Sequence, residues 1–191
     1  MRRYAPITLT ALLLTSCATM RLSPEESAAL RSVEHFVHLD RSGARLDPNR
    51  RHSVNAVLSS PDETEWDRFL VISSWRHNKP QVIDGAMVFP VQYTVEGLMS
   101  GDTFTPTDAA DADTAAEIEA NSNVSYTAKL QSGEWILETP ATLPHVSFAV
   151  ARDWAQAIPA DAAIQELADA EYTAKLKSQR SGHCNCGRLD F

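Results

Sequence analysis

His183-Cys184-Asn185-Cys186 is the densest set of soft metal ligands in the chain. Two thiolates and an imidazole can hold Zn(II) or Cu(I). One residue between the cysteines is tighter than the usual zinc spacing, and no fourth ligand is evident. The competing readings are a local disulfide, an intermolecular disulfide, or an oxidisable tail. His145 precedes Phe148 at an expected strand-to-helix corner. An imidazole there can move a proton, hold a ligand, or simply cap and pack. No Asp or Glu is placed by the sequence as its partner. His35 and His38 are three apart on an expected helix, where a shared metal site prefers four, and read as a solvated face. Asp108, Asp111, Asp113, Glu117 and Glu119 form an acidic run without the Asp-x-Asp-x-Asp-Gly order of a calcium loop. It too reads as solvated. Trp75, Tyr93, Tyr126 and Trp135 can line the hollow of a sheet, where aromatic walls with polar tips suit a small apolar ligand. The same four residues also make an ordinary core, which is the preferred reading. No G-x-S-x-G, H-E-x-x-H or Gly-rich phosphate loop is present, and seven glycines leave little room for one. No cofactor is implied.

Cys17 stands apart from the other thiols. It follows a positive Met1-Arg2-Arg3 and an apolar stretch from Ile7 to Leu14. That stretch is far short of the ~20 residues a membrane span needs. Residues 1–16 therefore read as a secretion signal. Leu14-Thr15-Ser16-Cys17 resembles the lipobox of bacterial lipoproteins. The resemblance implies cleavage between Ser16 and Cys17, a diacylglycerol on the Cys17 thiol, and acylation of the freed amine. A small Ser16 lets the backbone into the peptidase. Each buried methylene adds about 0.8 kcal/mol, so two or three acyl chains hold firmly. Ala18, where Asp would mark retention in the inner membrane, implies the bacterial outer membrane, inner leaflet, facing the periplasm. The alternatives are an N-terminal membrane helix and an ordinary secretory signal cut near Ala18.

The rest of the chain must be consistent with that address. Losing Arg2 and Arg3 with the leader takes the formal charge from −8 to −10. Such a surface repels phosphate and shows no basic stripe, which argues against nucleic acid as a partner. Membrane attachment should come from the anchor. With Cys17 acylated, Cys184 and Cys186 cannot supply a disulfide framework for the core.

Periodicity supplies the elements. Ser23-Pro24-Glu25-Glu26 predicts a capped helix start, followed by Leu30, Val33, Phe36 and Val37 at helical spacing, with Gly43 to end it. Residues 47–62 are polar apart from Val54, Val57 and Leu58. Phe69 to Trp75 predicts a strand covered on both faces. Met87 to Leu98 alternates and predicts a second, with Gly85 and Pro90 suggesting a bulge or an edge. Thr107 is expected to cap a short helix to Ala120, with a loop as the alternative. Val124 to Leu130 and Glu134 to Glu138 form a hairpin around Gly133. Helices are expected over 146–158, with a Val146/Ala149/Val150/Trp154/Ile158 stripe, and over 161–179, with Ile164, Leu167, Ala168, Tyr172 and Leu176 on one side.

The expected class is α+β: a curved antiparallel sheet of about four strands against an N-terminal helix, with C-terminal helices, all helices on one face. Trp66-Asp67-Arg68-Phe69 leading into Val71-Ile72, then Phe89 to Val95, then Ser132-Gly133-Glu134-Trp135-Ile136-Leu137, resemble NTF2-like and cystatin-like domains. That likeness implies a conical sheet around the first helix over about residues 24–150. The expected organisation is a signal peptide (1–16), a lipidated tether (17–23), an α+β domain (24–158), and a C-terminal helix with a loose tail (159–191). The expected function is a membrane-anchored periplasmic lipoprotein that binds an envelope protein partner or a small ligand. One alternative is a small enzyme with a conical pocket using His145. Another is metal handling through His183, Cys184 and Cys186.

Overall fold

The computed structural model describes residues 22–157 and 161–180. Cys17, Ser16 and the His183/Cys184/Cys186 tail lie outside the described residues. The fold is α+β, built on one strongly curled, mixed sheet.

Helix α1 (Pro24–Arg41) starts as the sequence dictates. Ser23 Oγ accepts from the Glu26 N–H, and the Glu26 carboxylate accepts from the Ser23 N–H. Pro24 occupies the first turn, where no amide hydrogen is needed. Gly43, at φ +78°, turns the chain away after the last turn. Ala29, Leu30, Val33, Phe36 and Val37 make the buried stripe, and Asp40 lies on that same stripe. His35 and His38 face solvent, as expected. A short helix, α2 (Arg51–Asn55), follows and buries Val54.

Strand β1 (Arg68–His77) pairs antiparallel with β3 (Ala86–Ser100), the longest strand. On β3's same edge, β2 (Gln81–Ile83) continues where β1 stops. On its other edge lie β5 (Asn123–Gln131) and β4 (Thr103–Pro106). β6 (Glu134–Leu137) closes the hairpin with β5. The path runs β6-β5-β3-β1-β7. Seven strands thus replace the expected four. The additions are β2, β4 and β7, each of three or four residues.

β7 (His145–Ser147) runs parallel to β1, with Leu70 opposite His145. This corrects two expectations. The sheet is mixed, and residues 145–147 are strand where a helix was expected to begin. Helix α4 (Phe148–Ala157) starts later, and its buried face is Phe148, Ala151 and Ala155. Pro90 sits inside a central strand, not at an edge. Its carbonyl accepts from Asn78, so its amide-free nitrogen faces the 78–80 gap between β1 and β2, where no partner is lost. The irregularities fall elsewhere, at Ser73 on β1 and Glu96 on β3, and these two extra residues bond each other at 2.6 Å.

Helices pack on both sheet faces, not one. In the hollow, α1 lies on Ile72, Phe89, Val91, Tyr93 and Tyr126. On the other side, Phe69, Val71, Met99 and Phe104 meet α4 and α5 (Asp161–Arg180). The buried face of α5 is Ala163, Leu167 and Ala174, while Ala168 and Tyr172, expected inward, are exposed. β1 is apolar on consecutive residues because it separates these layers. The acidic segment carries helix α3 (Ala112–Ser122), capped by Asp111 and not by Thr107. Asp111 holds its charge below the usual carboxylate range through the Thr114 N–H it accepts. Ile118 anchors α3 to Leu70 and Leu98.

Candidate functional site

His145 is 1% exposed, and the fold surrounds it with charge. Asp40, from the last turn of α1, reaches across 105 residues of sequence. Its Oδ2 accepts the His145 backbone N–H at 3.0 Å and lies 3.6 Å from the ring Nδ1. The other ring nitrogen, Nε2, is 2.8 Å from the Asn121 carbonyl. A carbonyl only accepts, so Nε2 carries the proton. Tyr93 covers the ring face, stacked at 3.9 Å between centroids. Nε2 is thus bonded and one ring face covered, while the buried Nδ1 faces Asp40 without a hydrogen bond.

Arg45 continues the cluster. Residues 43–46 form the turn that leaves α1, which drives the guanidinium inward; it is 1% exposed. Its Nε donates to Asp62 Oδ2 at 2.8 Å, its Nη2 to the Thr142 carbonyl at 2.9 Å, and its Nη1 is 3.7 Å from Asp40. The guanidinium also lies 4.7 Å over the Trp66 ring. Burial pushes the Asp62 carboxyl up. The hydrogen bond and charge of Arg45, with the Thr64 N–H, outweigh that and hold it below its ordinary value. A buried guanidinium left without partners would be very costly, so two carboxylates at one cation satisfy a physical requirement. The arrangement pins α1, the 62–66 segment and the 140–145 segment to one another.

The four aromatic candidates share the hollow with His145. Tyr93 and Tyr126 are buried and joined by a 2.7 Å hydroxyl–hydroxyl bond. Burial raises both phenols far above the range in which they ionise, with the neighbouring Tyr126 phenol and the Asp40 charge adding to the effect at Tyr93. Phe36 packs on Tyr126 at 5.5 Å. Trp75 and Trp135 are half-buried at the rim of the same cluster. The space between α1 and the sheet is thus filled with side chains.

Open space lies on the opposite side of the molecule. A cleft of about 510 Å³ runs between β3, β4 and α5. Glu96, Asp108, Glu166 and Asp169 put four carboxylates on its walls, with Thr94, Thr107, Thr173 and Lys177 between them. Val95, Pro106 and Ala170 supply its apolar floor. A smaller hollow of about 220 Å³ lies between the turn after α1 and α4, beside Arg50 and Trp154.

The sequence singled out His145 and missed Asp40, Arg45 and Asp62. One signal was present: Asp40 follows Val33, Phe36 and Val37 at helical spacing, so a carboxylate occupies a core position of α1. The acidic cleft had no such signal, because α5 and β4 meet only through the fold. Among the described residues, no group of three or more His, Cys, Asp or Glu is placed to hold a metal ion, and no helix is long and apolar enough to cross a membrane. No family profile, curated protein or solved structure matches this chain.

Proposed function

We propose that this chain is a lipoprotein of the bacterial envelope whose α+β domain works by binding, receiving a protein segment or small ligand in the cleft between β3, β4 and α5. The observation that carries the binding reading is the contrast between two places. The one buried imidazole singled out for chemistry is enclosed by Asp40, Asn121 and Tyr93. The larger of the two open hollows described above is the cleft, whose lining combines four carboxylates with apolar side chains. Acid–base work needs a group within hydrogen-bond reach of the substrate, and His145 offers no such approach. The cleft suits an occupant with positive charge and some apolar surface. The envelope address rests on Leu14-Thr15-Ser16-Cys17.

Two measurements test the two halves separately. Labelled palmitate is expected on the full chain and lost in Cys17→Ala; label retained in that variant removes the anchor. A photo-crosslinker in place of Thr173 is expected to capture an occupant in cells, and Glu166→Lys with Asp169→Lys to abolish that capture. Capture unchanged by the charge reversal would sink the cleft assignment.

A further inference from the structure

Three of the four large apolar side chains most exposed among the described residues sit on two neighbouring hairpin tips. Val82 (69% exposed) and Ile83 (49%) precede the β2–β3 turn, and Leu130 (58%) precedes the β5–β6 turn. Met87 is opposite Ala128. Extending that register by two residues sets Leu130 level with Gly85, so the tips lie side by side. Val82 pairs with Met87, and Leu130 with Trp135. Met87, Ala128 and Trp135 all pack in the cluster beneath α1. Paired residues share a face, so Val82 and Leu130 are on the α1 side of the sheet.

α1 starts at the same end and runs away from it. Asp40 lies by His145, which stacks on Tyr93. One turn earlier, Phe36 packs on Tyr126, whose partner on β3 is Phe89. A further turn back, Ser32 bonds the Trp135 carbonyl at 2.9 Å, next to the β5–β6 turn. Each turn back along α1 is thus a step up the strands toward the tips. The start of α1 and Leu22 come at this end of the domain.

Cys17 precedes Leu22 by five residues. Five residues reach at most about 18 Å when fully extended. We infer that this end of the domain docks against the bilayer, with Val82, Ile83 and Leu130 entering the boundary between headgroups and acyl chains. The inference rests on the lipoprotein reading, since the anchor is what brings these residues to lipid. Glu25 and Glu26 stand in the first turn of α1 at this same end, and the chain is acidic as a whole. Lys129, beside Leu130, is paired with Glu138, and Asp84 and Glu134 stand at the two tip turns, so attraction to anionic headgroups does not drive the contact. Burial of aliphatic surface must, and the contact should be insensitive to salt. The domain then stands on its hairpin tips, with the turn between β3 and β4 pointing away from the membrane.

The test uses the acylated full chain with Cys184→Ser and Cys186→Ser, reconstituted in phosphatidylethanolamine–phosphatidylglycerol vesicles. An environment-sensitive dye is placed by Ile83→Cys, Leu130→Cys or, at the far end of β3, Asp102→Cys. Dye at positions 83 and 130 is expected to shift to the blue and to be quenched by lipid-borne nitroxide, equally at low and high salt. Dye at position 102 is expected to do neither. If the protein floats with the vesicles but all three dyes report water, the docking inference is overturned while the anchor stands. The same holds if quenching at 83 and 130 disappears in high salt. If the protein carries no acyl chain and does not float, the lipoprotein reading itself fails and takes the docking with it.

Discussion

At the scale of single residues, the cluster around Arg45 sets the terms. Breaking a buried ion pair by removing one partner typically costs about 3–5 kcal/mol, because the other charge is stranded. Asp62→Asn is therefore expected to lower stability at neutral pH by about 3 kcal/mol, measured by urea unfolding. The pH dependence follows from the direction of the shift. Asp62 is held below its ordinary value of 3.8 in the fold, so its contribution is present above that pH and is lost as pH falls through the lower, folded value. The melting temperatures of wild type and Asp62→Asn should thus converge on acidification below about pH 4. A gap that stays constant down to pH 2 would mean that Asp62 carries no charge-dependent stability. Asp40→Ala should also lower stability, since it takes the second carboxylate from Arg45, which keeps Asp62, and removes the acceptor for the His145 backbone N–H. In the core beneath α1, Phe36→Ala is expected to cost about 3–5 kcal/mol for the cavity it leaves.

At the scale of elements, two glycines make opposite demands. Gly133 turns at φ +90° with open space around it, so Gly133→Ala pays only for the left-handed backbone, about 1 kcal/mol. Gly97 has an ordinary backbone, but a methyl there would sit 2.5 Å from the Phe104 ring and from the Thr105 carbonyl. β4 cannot yield without losing its pairing to β3, so Gly97→Ala should be the more severe change, at several kcal/mol by denaturant melts. The reverse order would contradict the packing described for β4. Elements whose geometry is set within a few residues were legible in the sequence. The Ser23–Glu26 capping box, the 124–137 hairpin and the alternation from Met87 to Leu98 are of that kind. β2, β4 and β7 were not, because strands this short exist only through their neighbours on β3 and β1. Val146 shows the difficulty. Its spacing to Val150 and Trp154 fits a helix, yet pairing with Val71 draws it into the sheet. The site divides in the same way: His145 stood out by type, whereas Asp40 meets it only through tertiary folding.

At the scale of the whole molecule, the sheet separates two cores, and its rims are treated differently from its centre. At one rim, residues 57–59 lie along β6: the Leu137 N–H donates to Val57, and the Leu137 carbonyl accepts from Ser59 at 2.7 Å. The other rim, β7, is three residues long. Past β7, β1 runs on from Ser73 to His77 without a paired strand on that side among the described residues. Ser59→Pro deletes one donor of this cover and is expected to raise self-association, read by light scattering, more than it lowers the melting temperature. A monomeric Ser59→Pro at high concentration would show that the 57–59 cover has no such part. Proteins confined to a surface meet one another in two dimensions, repeatedly and often in similar orientation, where edge-to-edge zippering would propagate readily. On the tether proposed above, covering the β6 margin would limit such zippering between neighbouring copies on that side.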